Sequence, residues 1–168
     1  MTFLRSLTLF AFLFVAGAAA ANTSLEKCGE AKLTVLFWDI YESSLYTPEG
    51  RYTPDIRPLR LEIKYLRDIK AQDLIEQTAK EWRAQGLDDP RHVQWLADLA
   101  ALWPDVSGND VITLTIDEAS HAHFSFNGRS VGSIEEPDFA RDFSGIWLSP
   151  LTTRPKIRAA LIGSDTNA

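Results

Sequence analysis

Residues 32–46, KLTVLFWDIYESSLY, constrain the fold of this chain more than any other stretch. Between positions 33 and 41, both sets of alternating side chains are mostly aliphatic, β-branched or aromatic, and such residues favour strands. A strand with two apolar faces lies inside a sheet and is covered on both sides. The pattern therefore predicts one long central strand, with helices on one face and either more chain or a ligand on the other.

The first 21 residues have the pattern of a secretory signal peptide. Arg5 supplies a positive charge, residues 7–15 are almost all apolar, and the alanines at 18–21 suit cleavage before Asn22. The apolar run is too short for a stable membrane helix, and no later stretch approaches about 20 apolar residues. We expect an exported, periplasmic protein without a stable membrane anchor, with residues 22–168 forming a single domain.

Composition narrows the choice of partners. The formal net charge of −6 disfavours nucleic acid and anionic membranes as partners.

Cys28 is the single cysteine, so no disulfide can form within the chain and stability must come from packing. Five tryptophans and a hydrophobic fraction of 45% supply a large core. The sequence does not identify a protein partner.

The elements follow in an order that indicates an α+β fold. Residues 22–31 are polar and are expected to pack loosely, whereas residues 57–65 alternate as a half-buried strand after a turn at 47–50. Two helices are predicted next, over 70–86 and from Asp89-Pro90 to Trp103. The side chains expected on the buried face of the second helix are Val93, Leu96, Leu99, Ala100 and Trp103.

Three short strands are predicted over residues 111–116, 121–126 and 129–134. The last two are joined by Asn127-Gly128, a pair that favours a two-residue hairpin turn. Helices over 137–148 and 155–161 end the chain. The order ββ, αα, βββ, αα predicts an open-faced sandwich, a large antiparallel sheet with a layer of helices on one face.

Few residues suggest catalysis or metal binding. His121 and His123 share one face of a strand, and Asp117 is the nearest third ligand, but a histidine pair specifies little and a solvent-exposed face is the favoured interpretation. No serine lies in a G-x-S-x-G motif, and no glycine-rich loop is placed to hold a phosphate. We therefore predict no catalytic residue, no metal and no other cofactor.

The candidate ligand-binding residues lie on the two long strands. They are Lys32, Trp38, Tyr41, Tyr46 and Tyr65. A cation and several phenolic hydroxyls would suit a carboxylate or enolate group inserted between sheet and helices. The alternative is that the tyrosines are ordinary core residues and Lys32 a solvated strand end.

Three segments, FWDIYESSLYTPEG, PLRLEIKYLRDIKAQDLIEQTAKEW and FSGIWLSPLTTRPKIRAALIG, resemble the bacterial exported branch of the chalcone isomerase-like proteins. The resemblance extends over roughly residues 32–163. It implies an open-faced sandwich with a ligand cleft between sheet and helices. It also implies one of two activities, cyclisation of a chalcone to a flavanone or binding of fatty acids without chemistry.

In both groups of that family, an arginine after a Gly-x motif meets the anionic part of the ligand. This chain instead has Cys28-Gly29-Glu30-Ala31-Lys32, and no arginine lies between Arg5 and Arg51. Lys32 would supply the charge without the two-pronged geometry of a guanidinium. Tyr41 lies where members of the family tend to carry tyrosine.

Three functions follow from these observations. The favoured one is a non-catalytic binder of a small apolar or amphipathic ligand, a fatty acid or an aromatic acid. The second is an intramolecular lyase or isomerase acting on a chalcone-like enone, with Lys32 and Tyr41 stabilising its transition state. The third is a structural or accessory envelope protein whose cleft is filled by Phe37, Trp38 and Trp147. Cavity volume distinguishes the third from the others.

Overall fold

In the part of the chain that the structure describes, six strands form one antiparallel sheet in the order β1-β2-β3-β4-β5-β6. The computed structural model describes residues 24–164, so the predicted signal peptide lies outside the described residues. The strands are β1 (Leu25–Val35), β2 (Trp38–Pro48), β3 (Leu59–Tyr65), β4 (Val111–Ile116), β5 (Ala122–Phe126) and β6 (Arg129–Ile134). The helices are α1 (Ala71–Ala84), α2 (His92–Leu102), α3 (Pro137–Leu148) and α4 (Pro155–Leu161). The predicted α+β open-faced sandwich is confirmed. None of the described helices has the length and apolar character needed to cross a membrane.

The prediction of one long central strand over residues 32–46 is wrong. The stretch is a hairpin in which Val35 pairs with Trp38 across a two-residue turn, Leu36-Phe37. Among the described strands, β1 pairs with β2 alone, at the edge of the sheet. It begins at Leu25, within the stretch expected to pack loosely. The turn contains no glycine, proline or asparagine, the residues that usually indicate a turn in a sequence, so no local pattern predicted it. Leu36 nevertheless adopts a positive φ of 56°.

The remaining elements agree with the sequence, except at the start of α2. The helix was expected to begin at Asp89-Pro90, and Asp89 does accept a hydrogen bond from the backbone N–H of Arg91. The helix itself begins at His92. Its buried face also differs from the prediction, because Trp95 and Leu99 are buried whereas Val93 is 78% exposed. Ala100 is exposed as well.

Large aromatic side chains pack between the helices and the sheet. Trp95 packs edge-on against Trp82 and Phe139, and its indole N–H donates to Glu136 at 2.6 Å. The Trp82 N–H donates to the backbone carbonyl of Asp142 at 3.0 Å. These contacts explain why Trp95, and not the smaller Val93, occupies the buried face of α2.

The opposite face of the sheet is polar. In β3, Leu61 and Ile63 point to the helices and are buried, whereas Arg60 and Lys64 alternate with them on the open face. The guanidinium of Arg60 lies 4.3 Å from the ring centre of Tyr46 on β2. A buried ligand site can therefore lie only on the helix side of the sheet.

Candidate functional site

A cavity of about 330 Å³ lies between the sheet and helices α1 and α3. Its walls are mainly apolar, and they include Ile63, Ile112, Leu114, Phe124, Leu74 and Phe143. Val35 on β1 and Asp73 and Gln77 on α1 also line it and are exposed. The mouth of the cavity therefore lies between the end of β1 and the first turns of α1.

Two tyrosines bring phenolic groups to this cavity. The Tyr41 hydroxyl accepts a hydrogen bond from the indole N–H of Trp147 at 3.0 Å, which leaves its own proton free to be donated. Burial raises the pKa of Tyr41 above its usual value, and the Trp147 hydrogen bond only partly opposes this. Burial also raises the pKa of Tyr65 above its usual value. Both phenols are protonated at neutral pH and can serve as hydrogen-bond donors.

Arg154 adds a cation to the lining of the cavity. It lies at the N-cap of α4 and is partly buried. Its backbone N–H donates to the Thr152 hydroxyl, but among residues 24–164 its guanidinium forms neither a hydrogen bond nor an ion pair. The guanidinium is therefore available to a ligand.

Glu81 is the buried acidic group that lines the cavity on α1, where it is 7% exposed, whereas Asp73 is exposed at the mouth. One carboxylate oxygen accepts a hydrogen bond from Gln77 at 2.8 Å, and the other accepts one from the Thr153 hydroxyl at 2.6 Å. These two donors satisfy the carboxylate without Arg154. The cavity therefore carries separate positive and negative groups, and the positive one has no hydrogen-bond or ion-pair partner among the described residues.

Trp103 contributes a further donor to the lining. The residue is 7% exposed, and its indole N–H is buried with no acceptor in the part of the chain that the structure describes. A buried donor without an acceptor is costly, so a ligand oxygen or a water molecule within reach of it would be stabilising.

The structure brings two of the five predicted ligand-binding residues, Tyr41 and Tyr65, to the cavity. Lys32 lies on the open face, 3.3 Å from Asp39 and 3.4 Å from Glu42. Tyr46 is also on the open face, and Trp38 is 63% exposed at the hairpin turn. The ligand-binding role of all five stays a prediction.

Arg154, Glu81 and Trp147 were not selected from the sequence. Arg154 precedes a proline at the start of a helix, a position with no distinctive pattern. The third hypothesis names Trp147 only as a side chain that fills the cleft. Trp147 does line the cavity, but it leaves the space open, and Phe37 lies at the hairpin turn, 96% exposed.

Comparisons with known proteins agree with this architecture. The model of a family described as chalcone isomerase-like matches residues 16–163. A Haemophilus influenzae protein described as uncharacterized is 28% identical over 156 residues, which cover 93% of this chain and 77% of that protein. The crystal structure of an Arabidopsis thaliana fatty-acid binding protein matches with a TM-score of 0.64 and 14% identity, over 84% of this chain and 88% of that one. At that identity the likeness shows the fold.

Proposed function

The chain belongs to the chalcone isomerase-like family, and on that premise we propose that it is a non-catalytic binding protein for a small carboxylic acid with an apolar tail. The ligand classes are fatty acids and aromatic acids. The observation that carries the proposal is the Arg154 guanidinium, which lines a mainly apolar cavity and forms neither a hydrogen bond nor an ion pair within residues 24–164.

The shape of the cavity supports a small ligand. Ligand pockets span roughly 300–1,000 Å³, and this cavity of about 330 Å³ is at the lower end. Its apolar walls would cover the tail, and burial of such a tail supplies most of the binding free energy. We therefore expect short or medium chains to bind better than long ones.

The polar groups of the cavity suit a carboxylate. Arg154 can donate two parallel hydrogen bonds to its oxygens, and the protonated Tyr41 can donate a third. The fatty-acid binding protein with the same fold supports this ligand class. Lys32, the electrostatic group of the isomerase hypothesis, is not among the residues that line the cavity, which favours binding over catalysis.

Calorimetric titration with octanoate and decanoate tests the proposal. Arg154→Gln should weaken binding by roughly tenfold to a hundredfold, because a hydrogen bond to a charged group contributes about 1.5–3 kcal/mol. Lys32→Gln is the matched control and should change affinity by less than about twofold, because its ammonium faces acidic side chains on the open face.

The corresponding alcohols separate head-group recognition from tail burial. Octanol and decanol should bind the native protein more weakly than the acids, and Arg154→Gln should leave their affinity almost unchanged. Equal affinity for acid and alcohol would refute the role of Arg154. A loss of acid binding in Lys32→Gln would place the head group elsewhere.

We also propose that the protein acts after export, on the basis of the signal-peptide pattern in residues 1–21. Amino-terminal sequencing of the mature protein from the producing cell tests this. A first residue of Asn22 is expected, and an intact amino terminus in the cytoplasmic fraction would contradict it.

A further inference from the structure

Four consecutive apolar side chains project from the turn between β1 and β2. This hairpin tip consists of residues 35–38, and Val35, Leu36, Phe37 and Trp38 are 40%, 85%, 96% and 63% exposed. The turn between β5 and β6 uses Asn127-Gly128, the residues that such turns favour. Folding therefore does not require apolar residues at a hairpin turn of this sheet, and their presence at the tip calls for another reason.

The hairpin tip lies beside the mouth of the ligand cavity. Val35 belongs to the tip and also lines the cavity, opposite the exposed Asp73 and Gln77 of α1. An apolar ligand that enters or leaves by the mouth must pass the tip. The tip is therefore placed to contact whatever supplies the ligand.

Charged side chains surround the base of the tip. The Arg67 guanidinium lies 5.2 Å from the ring centre of Trp38, and Lys32 pairs with Asp39 one residue beyond. At a membrane surface, apolar side chains enter the acyl region, tryptophan prefers the interface and charged groups remain in water. The hairpin tip and its base present the same order: apolar side chains at the turn, then a tryptophan, then charged groups. The net charge of −6 indicates that attraction to anionic lipid is not the driving force.

We propose that the hairpin tip inserts into the surface of a lipid bilayer and holds the cavity mouth against it, so that the acid passes between bilayer and cavity. The inference rests on the proposed binding of an apolar acid. A lipid surface suits the tip better than a protein does, because a narrow convex turn offers no broad face for a specific protein interface, whereas acyl chains close around it.

Tryptophan fluorescence with phosphatidylcholine vesicles tests the insertion. Trp38 is the exposed member of the five tryptophans, since the other four are each 9% exposed or less. Lipids brominated on their acyl chains should quench the tryptophan fluorescence of the native protein. Trp38→Phe should still bind vesicles but lose most of this quenching.

The double variant Leu36→Asn, Phe37→Gly removes the apolar tip and copies the turn that this sheet already uses at Asn127-Gly128. Its vesicle affinity should fall at least about tenfold, because two exposed apolar side chains no longer enter lipid. Val93→Ser, on α2, is the matched control, because Val93 is 78% exposed and far from the tip in sequence. It should bind vesicles as the native protein does.

Three results would overturn the inference: no binding of the native protein to these vesicles, unchanged binding of the double variant, or an equal loss in Val93→Ser. Octanoate titration in the absence of lipid keeps the two proposals apart. The double variant should retain octanoate affinity, whereas Arg154→Gln should lose it. If the native protein binds octanoate but does not bind the vesicles, or binds them independently of the tip, only the insertion is refuted.

A second inference comes from the cluster of Asp117, His121 and His123. One oxygen of Asp117 accepts the backbone N–H groups of Ala119 and His121, both at 2.9 Å, which holds the carboxylate in place. The other oxygen lies 2.9 Å from His123 Nε2 and 3.5 Å from His121 Nδ1. All three potential ligand atoms lie within 4.8 Å of one another.

We infer that this cluster binds a divalent transition metal, for which zinc is the probe. Two imidazoles and one carboxylate are typical zinc ligands, and a site with three protein ligands leaves a position for water. Calorimetry of chelator-treated protein should show one zinc bound, with affinity reduced at least about tenfold in His123→Ala and Asp117→Asn. His92→Gln changes the third histidine of the chain and should leave zinc binding unchanged. Absence of binding at micromolar zinc, or binding that survives His123→Ala, would overturn the inference.

Discussion

Replacement of Gly29 by alanine should destabilise the protein strongly, although Gly29 lies in an edge strand. A Cβ atom at this position would lie under 3.0 Å from the carbonyl oxygens of Ala160 and Leu161. These are backbone atoms at the end of α4, so they cannot rotate away as a flexible side chain would. α4 must therefore move away from β1, and with it the fully buried Leu161.

The expected loss of unfolding free energy is about 2–3 kcal/mol, the upper part of the range for overpacked cores, because the obstructing atoms belong to the backbone. Urea unfolding followed by tryptophan fluorescence measures it as a lower midpoint with an unchanged slope. Octanoate affinity should fall as well, since Arg154 is the N-cap of the same helix.

Gly108→Ala is the matched control. Its Cβ atom would meet no atom closer than 3.7 Å, and its φ lies outside the left-handed region. This substitution should leave stability unchanged or raise it by about 0.4–1 kcal/mol through the unfolded state. The steric argument would be refuted if the two variants differed in stability by less than about 0.5 kcal/mol.

Three further predictions concern the cavity, the core and the Asp89–Arg91 pair before α2. Glu81→Gln should tighten octanoate binding about threefold to tenfold in calorimetry, because it removes a negative charge from the cavity lining, and weaker binding would contradict this. Trp82→Phe should cost about 2–3 kcal/mol in urea unfolding, because it removes the buried hydrogen bond to the Asp142 carbonyl and leaves a void, whereas Trp38→Phe at the exposed tip should cost less than about 0.5 kcal/mol. Hydrogen bonds from the side chain and backbone of Arg91 lower the pKa of Asp89 from 3.8 to about 2. The stability that Asp89 contributes is therefore full above pH 3.8 and is lost as the pH falls through about 2, so the native protein and Asp89→Ala should converge in urea unfolding over that range, and a constant difference would contradict the assignment.

Local chemistry predicted much of the fold. Residues 137–148 and 155–161 form helices with the predicted limits, because a proline at the first position and an amphipathic period are signals within a few residues. The Asn127-Gly128 pair likewise predicted the hairpin turn in which it lies. The reversal at Leu36-Phe37 was missed because alternating apolar side chains look the same in one long strand and in two paired strands.

The buried face of α2 shows a second limit of local reasoning. Val93 and Trp95 are both apolar, and periodicity alone favoured Val93. The choice was made by residues distant in the chain, since Trp95 packs against Trp82 and Phe139 and bonds to Glu136. Such contacts exist only after the helices have assembled.

The sequence by itself determined the element types and the α+β class, because both depend on neighbours a few residues away. The tertiary structure alone decided which polar groups meet in the cavity. Trp147 reaches Tyr41 across 106 residues of chain, and Arg154 arrives from the start of α4. Lys32 faces outward because strand register places it beside Glu42 on the open face. Register and helix packing join distant segments, and a local pattern does not contain that information.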